Sequence, residues 1–331
     1  LIGFATEGLD FIFGNEYVST TLQVEDFSIS GYFDLKPHPL TTDIHSYLHP
    51  DQKLLIFSDI RNMTLQSSTE ISRLYNRKSG DTGRPAITAR DYGLGKAYYF
   101  VFNVPKTIWV LHQGRPVVSD YDGDGFYRTS DLIVIEGNEP EVLYADEILF
   151  LLQNMIGQKR QPFIHQIPPD GNKIPDALFH WGGDDEGVAG AQLWASNWMK
   201  SKGLPYHINV MPKNGEFSLT IEEAKAIEAN GHEISLHINL IDGYKHPLKF
   251  TQADIEKQTR AFRSKYGKNP ICAVYHYSLW TDWEKPAEWM LASGIRADNT
   301  HVHVSFPPLN PINMLGFSFG TSYPYHVYDD Y

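Results

Sequence analysis

The sequence predicts an α/β protein with two domains, because the two ends of the 331-residue chain differ in how strands and helices alternate. After residue 174, apolar strand patterns alternate with amphipathic helix patterns, which predicts parallel strands. Before residue 158, strand patterns predominate and helix patterns are few. The segment between them is polar and contains prolines. We therefore assign domains to residues 1–157 and 174–331, joined by a linker over 158–173.

In the first domain, β-branched and aromatic runs predict strands, and one apolar stripe at helical spacing predicts a helix. The predicted strands are Leu54–Phe57, Ala97–Phe102, Thr107–Leu111 and Leu132–Ile135, and the helix is Ala145–Ile156.

In the second domain the two patterns alternate, as in a parallel sheet that is open or closed into a barrel. The predicted strands are Ala177–Trp181, Tyr206–Val210, His232–His237 and Ile271–Tyr275, and the helices are Ala189–Lys202, Thr220–Ala229 and Thr251–Tyr266. Function in such sheets lies at the carboxyl ends of the strands, where the candidate residues below are found.

The best-marked boundary in the chain leads onto the strand that ends at His237. Thr220 and Glu223 have the spacing of a capping box, which predicts the start of a helix. Gly231 supplies the left-handed residue that ends it. The alternation that follows points Glu233 and His237 to one face of a short strand.

Composition excludes several functional classes. The net charge is −12, and no long basic run occurs, so a nucleic-acid partner is not expected. No apolar stretch approaches the roughly 20 residues that a membrane span needs. The single cysteine, Cys272, excludes an internal disulfide and has the apolar neighbours of a buried strand residue. The chain starts at Leu1 and has the character of a fragment, so the absence of a signal segment says little about localisation.

Two motifs in the second domain resemble the polysaccharide deacetylase family (NodB-homology, carbohydrate esterase 4-like). Gly231, His232, Glu233, Ile234 and His237 match its G-H-E-I-x-x-H motif, and the run from Ala177 to Gly187 resembles its hydrophobic strand followed by paired aspartates. The resemblance covers about residues 174–331. It implies a (β/α) barrel, here truncated at its C-terminus, and a metal-dependent hydrolase that removes N- or O-linked acetyl groups from a carbohydrate polymer.

The resemblance also implies roles for individual residues. Asp184 would be the general base and Asp185 a metal ligand, with His237 as a second ligand. The family's next histidine corresponds to Ile241, so His246 or His276 would complete the site. Zinc suits such ligands and lowers the pKa of its bound water to about 7.

Other interpretations of these residues remain open. The two aspartates could instead cap the following helix. His232, at the start of its strand, is expected to be structural. His301 and His303 alternate on one strand-like face, which could bind metal or face solvent. Trp181 and Trp280 are candidates for stacking on a sugar ring, or for ordinary core packing.

A separate motif runs from Asp120 to Asp131 and resembles the calcium loops of dockerins and EF-hand-like sites. Its oxygen ligands would be the side chains of Asp120, Asp122, Asp124 and Asp131 and the backbone carbonyl of Phe126, around a glycine turn. The alternative is an unliganded acidic turn. We place this loop in the first domain. A structural calcium ion is typical of extracellular proteins, so we expect a secreted or cell-surface protein.

The first domain has a weaker resemblance of its own. The turn-rich run Asp91–Lys96, which leads into an aromatic strand, resembles the late strand pair of class I glutamine-amidotransferase-like domains. No nucleophile elbow and no cysteine occur there, so amidase chemistry is not expected. For the whole chain, the alternative to an enzyme is a degenerate deacetylase-like protein that binds carbohydrate or acts as a scaffold.

Overall fold

The computed structural model describes residues 1–44, 52–76, 80–133, 137–138, 142–159, 171, 173, 175, 178–186, 188–243, 249–301, 313–314 and 321–328. The strands are β1 (Ile2–Phe4), β2 (Asn15–Thr21), β3 (Gly31–Phe33), β4 (Leu54–Ile56), β5 (Ile60–Leu65), β6 (Thr69–Tyr75), β7 (Asp81–Tyr92), β8 (Gly95–Phe100), β9 (Gly137–Asn138), β10 (Gly182–Asp185), β11 (His207–Val210), β12 (Pro212–Lys213), β13 (Glu216–Phe217), β14 (Glu233–Ile238), β15 (Cys272–Tyr275), β16 (Ala297–Asp298) and β17 (Asn313–Met314). The helices are α1 (Asp10–Phe13), α2 (Val104–Gln113), α3 (Tyr144–Ile156), α4 (Ala191–Ser201), α5 (Ile221–Ala229), α6 (Gln252–Tyr266) and α7 (Lys285–Ala292). Among the described helices, the length and apolar character that a membrane crossing requires do not occur.

The chain forms two compact units that differ from the contiguous domains we expected. The first contains Leu1–Arg115, Ile133–Phe163 and Ser305–Tyr331, and the second contains Pro116–Leu132 and Ile164–Val304. The predicted calcium loop therefore belongs to the second unit and not to the first. This placement rests on contacts between segments that are far apart in the sequence, which local patterns do not reveal.

The first unit is built on a six-stranded sheet with the order β1-β8-β7-β6-β3-β4. Strands β1 and β8 are parallel, and the other neighbours in this sheet are antiparallel. Aromatic side chains fill its core, as in the contact of Phe33 with Phe102 at 5.1 Å between ring centroids. This largely antiparallel arrangement gives no support to the amidotransferase-like domain predicted for residues 1–157.

Helix α2 corrects one predicted element of this unit. Residues Thr107–Leu111 were predicted as a strand but lie inside the helix. The Asn103 side chain accepts a hydrogen bond from the Lys106 amide at 3.0 Å and caps the helix, and Pro105 occupies its first turn. Short apolar runs do not distinguish the two structures, and the cap was the decisive signal. Leu132 and Ile133 also lie outside any strand, and Val134 and Ile135 are not among the described residues.

The second unit contains a five-stranded parallel sheet with the order β10-β11-β14-β15-β16. The strand order follows the chain order, and helices α4 to α7 lie between successive strands. This is the predicted strand–helix alternation. Within the described residues β10 and β16 are the two edges of the sheet, so a closed barrel is not seen there.

The capping box and the strand predicted around residue 230 are confirmed. The Thr220 hydroxyl accepts from the Glu223 amide at 3.1 Å, and the Glu223 carboxylate accepts from the Thr220 amide at 2.9 Å. Gly231 has a φ of 84° and turns the chain from α5 into β14. Helix α5 and strand β14 therefore deliver His237 to the carboxyl end of the sheet.

Candidate functional site

One face of the parallel sheet is polar although it is largely buried. Registered neighbours in parallel strands share a face, and Asp184 of β10 is registered with Asn209 of β11, which is registered with Ser235 of β14. His207 and His237 lie two residues from Asn209 and Ser235, so they lie on the same face. We call this set the polar face. Burying polar groups costs free energy unless they are partnered, so the polar face requires an explanation.

Two histidines meet at the carboxyl end of this face. The rings of His237, on β14, and His276, directly after β15, lie 5.0 Å apart between centroids in an edge-to-face arrangement. Burial lowers the pKa of both histidines. Nδ1 of His237 is buried and has no hydrogen-bond partner within the part of the chain that the structure describes. Both rings are therefore suited to the neutral state that binds a metal ion.

Two carboxylates, those of Asp184 and Glu186, act on this pair of histidines. Asp184 is exposed. Burial lowers the pKa of His237, and the negative charge of Asp184 raises it more than any other neighbouring charge does. The Asn209 amide donates to Asp184 Oδ1 at 2.9 Å. Glu186 Oε1 lies 3.8 Å from Nδ1 of His276. Asp184 and Glu186 therefore supply negative charge beside the two imidazoles.

Asp185 lies differently from the ligand role that the resemblance implied. The aspartates were expected after a strand over Ala177–Trp181, but the strand is Gly182–Asp185 and contains them. Because neighbouring residues in a strand point to opposite faces, Asp185 lies on the face away from Asp184 and His237. It is 3% exposed, and Oδ2 accepts from the Ser218 hydroxyl at 2.9 Å. The geometry favours Asp184 over Asp185 as the carboxylate that faces the histidines.

The remaining candidate histidines lie in different surroundings, and two of them are outside the described residues. His246 and His303 lie outside the described residues. His232 has a structural role: its Nε2 lies 3.1 Å from the Leu204 carbonyl, and its Nδ1 lies 2.8 Å from the Ser196 hydroxyl. His301 contacts the carboxylate of Asp298 at 2.9 Å.

The two tryptophans proposed for sugar stacking also differ. Trp280 is 1% exposed, and its indole N–H donates to the Trp283 carbonyl at 2.8 Å. Its ring is part of the core and offers no face to a sugar, which corrects that expectation. Trp181 is 40% exposed and lies 4.5 Å from the Phe179 ring. Of the two, Trp181 alone keeps an accessible ring.

The acidic loop brings together three of its predicted calcium ligands. Carboxylate oxygens of Asp120, Asp122 and Asp124 lie within 4.8 Å of one another, and among the described residues this is the group of three or more ligand atoms that lies close enough to hold a metal ion. Asp131 is instead fully buried, and its oxygens accept from the amides of residues 121, 122 and 128. Burial raises the pKa of Asp131 to about 7. Phe126 donates its amide to Asp124 at 2.9 Å.

The segment Pro116–Leu132, which carries the acidic loop, is bonded to the loop that follows His276. Val117 and Asp282 exchange two backbone hydrogen bonds of 2.8 and 2.9 Å, and the Trp280 amide donates to the Tyr127 carbonyl at 2.9 Å. The Arg128 guanidinium lies over the Tyr277 ring, 5.2 Å from its centroid. We call these contacts the loop brace.

Three residues of the braced loop have left-handed backbones. The φ angles are 60° at Tyr277, 51° at Ser278 and 62° at Asp282. Such conformations are costly for residues other than glycine and persist where surrounding contacts impose them. The loop brace supplies such contacts next to His276.

Two residues of the polar face, His207 and Asn209, were not among the predicted site residues. They alternate with Ile208 and Val210 in a strand that is buried on both faces. A polar residue at every second position of an otherwise apolar strand was the signal that would have identified them.

The chain was compared with protein families, curated proteins and solved structures. No protein-family model matches the chain, and no curated protein matches it either. The chain matches the structure of a family 4 carbohydrate esterase from Streptomyces lividans in complex with acetate, at 15% identity and a TM-score of 0.30. The match covers 37% of this chain and 62% of that structure, so the chain spans less than two thirds of it.

Proposed function

We propose that this chain is a metal-dependent hydrolase that removes acetyl groups from a carbohydrate polymer. The observation that supports it best is the contact of His237 with His276, at the carboxyl end of the sheet and beside Asp184. Nδ1 of His237 is buried and has no hydrogen-bond partner among the described residues, which suits a metal ligand because buried polar atoms are normally partnered. The family resemblance of the two motifs supplies the substrate class.

The residues divide into two roles in this proposal. His237 and His276 would hold the ion, for which zinc is the best candidate, and Glu186 lies near enough to His276 to orient it. The bound ion would lower the pKa of a water molecule and polarise an acyl carbonyl. Asp184 would accept a proton from that water molecule, because its side chain is exposed and a carboxylate can act as a general base. Asp185 would have to leave Ser218 to join the ligands, so the proposal does not require it.

The alternative is a binding or scaffold protein that keeps the cleft without the metal. It is favoured by one observation: the oxygens of Asp185 and the nitrogens of His237 and His276 do not gather as closely as those of the acidic loop. Metal analysis after dialysis against zinc separates the two proposals. Stoichiometric zinc that is lost in a His237→Ala variant supports the hydrolase, and a metal-free protein supports the binder.

Two adjacent and isosteric substitutions test the roles of the aspartates. With acetylated chitin and xylan oligomers as substrates, we expect Asp184→Asn to lower acetate release by about 10²- to 10⁴-fold and to keep the zinc content. We expect Asp185→Asn to keep turnover and to lower the melting temperature, because it changes the buried contact with Ser218. Loss of zinc in Asp184→Asn, or the reverse pattern of turnover, would show that the two roles are exchanged.

We also propose that the acidic loop binds calcium. The proximity of the carboxylates of Asp120, Asp122 and Asp124 supports this proposal, because their mutual repulsion is relieved by a cation. The role would be structural, since the loop is bonded to the segment after His276 and not to the polar face.

A further inference from the structure

Behind Asp184, a line of hydrogen-bonded side chains crosses the polar face. Asn209 donates through Nδ2 to Asp184 Oδ1 at 2.9 Å, and Asn209 Oδ1 lies 2.7 Å from Nε2 of His207. Beyond it, Glu233 Oε1 lies 3.7 Å from Nδ1 of the same histidine. The His180 ring is the other titratable neighbour, 5.2 Å from that of His207.

The chemistry of these groups fixes the direction of the line. An ionised carboxylate only accepts hydrogen bonds, so the Asn209 amide must point its NH₂ group at Asp184 and its oxygen at His207. Since that oxygen also only accepts, Nε2 of His207 must carry a proton. Each side chain thus holds the next in a single orientation.

Burying the polar side chains of Asn209 and His207 costs desolvation free energy. Asn209 is 3% exposed and His207 is 6% exposed, on a strand whose other residues, Ile208 and Val210, are apolar and buried. Apolar side chains at both positions would pack without the desolvation cost of an amide and an imidazole. What the polar pair adds is a fixed donor to Asp184, which lies on the same face of the sheet as His237.

We propose that Asn209 and His207 are positioning residues for Asp184, which hold its carboxylate in the orientation that faces His237. This inference rests on the proposed function, because it assigns Asp184 a task that needs a fixed orientation. It goes further in assigning a role in the reaction to two buried residues that do not touch the substrate. Loss of such supporting contacts lowers activity by about 10- to 100-fold in metal sites.

Four variants test the proposal. Asn209→Leu removes the donor to Asp184 at similar volume, and His207→Phe removes the donor to Asn209. His207→Gln is the conservative variant, because its amide NH₂ can replace Nε2–H. Ser235→Ala is the matched control: Ser235 is equally buried on the same face, but it is bonded to the Cys272 backbone and not to the line.

We expect Asn209→Leu and His207→Phe to lower kcat by about 10- to 100-fold with little change in KM and in zinc content. His207→Gln should recover most of the loss, and Ser235→Ala should match the wild type. Melting temperatures identify variants that fail to fold. If Asn209→Leu fails, the comparison of His207→Gln with His207→Phe decides, and if His207→Phe fails, the comparison of Asn209→Leu with Ser235→Ala decides. Equal kcat in Asn209→Leu and Ser235→Ala overturns the proposal.

A measurement without turnover separates this proposal from the proposed function. In the wild type we expect the nitrogen NMR signals of His207 to show a protonated Nε2, and the carboxyl carbon signal of Asp184 to shift in Asn209→Leu but not in Ser235→Ala. If the wild type releases no acetate but these signals behave as stated, the hydrolase proposal fails and the positioning of Asp184 stands. If the Asp184 signal does not respond, the positioning proposal is wrong, whatever the activity.

Discussion

Replacing His112 by phenylalanine is expected to make the first unit less sensitive to acid. The His112 ring stacks on Tyr325 at 4.5 Å between centroids, and its Nε2 is buried without a hydrogen-bond partner among the described residues. Burial lowers the pKa of His112 from 6.5 to about 4. Phenylalanine keeps the stacked ring and cannot be protonated.

The sign and size of the effect follow from the two pKa values. Between about pH 6.5 and pH 4, the unfolded chain binds a proton at His112 that the folded chain does not, so stability falls as the pH falls through this range. Each pKa unit corresponds to about 1.4 kcal/mol, and the shift to about 4 therefore costs about 3 kcal/mol at pH 4. Above pH 7 both states are neutral at this site, and the cost disappears.

Urea denaturation at about pH 7.5 and about pH 4, followed by circular dichroism, measures this difference. The loss of unfolding free energy on acidification should be about 3 kcal/mol smaller in His112→Phe than in the wild type. His326→Phe, a substitution at an exposed histidine of the same C-terminal segment, should behave as the wild type. Equal losses in His112→Phe and the wild type would show that His112 is protonated in the folded protein.

Three further predictions concern the second unit. Calcium should raise its melting temperature after chelation, and an Asp122→Ala, Asp124→Ala double variant should lose that shift in calorimetry; an equal shift in both proteins would reduce the loop to an acidic turn. Ser196→Ala should lower the free energy of unfolding by about 1–3 kcal/mol in urea denaturation, because it removes the hydrogen-bond partner of the buried His232 Nδ1, and it should not change the zinc content. Arg128→Met should speed hydrogen exchange at the amides of the loop after His276, because it removes the guanidinium that lies over the Tyr277 ring. Unchanged exchange would mean that the backbone hydrogen bonds are sufficient to hold this loop.

The sequence predicted the second unit better than the first, because its signals are local. Thr220, Glu223 and Gly231 mark the ends of α5 through contacts that span a few residues, and the strand that ends near His237 follows from simple alternation. In the first unit the apolar run Thr107–Leu111 suits either a strand or a helix. There the Asn103 cap outweighed the β-branched residues.

One proximity within the candidate site was predicted from the sequence, and the roles of its residues stay predictions. His237 and His276 are brought together, as expected for residues at the ends of adjacent parallel strands. The faces of Asp184 and Asp185 could not be assigned, because a strand boundary that moves by a few residues changes which of two neighbours points to a given face. The line from Asp184 to His207 depends on the register of two strands, which the sequence does not specify.

The loop brace has a consequence for anyone who divides this protein for expression. A cut in the polar segment near residue 158, where the sequence suggests a linker, would leave Pro116–Leu132 on the wrong fragment. The fragment that carries His237 and His276 would then lack the backbone partners of Trp280 and Asp282, and the left-handed residues after His276 would lose the contacts that impose their shape. An inactive C-terminal fragment would therefore say nothing about the activity of the whole chain, and a usable fragment has to start before Pro116.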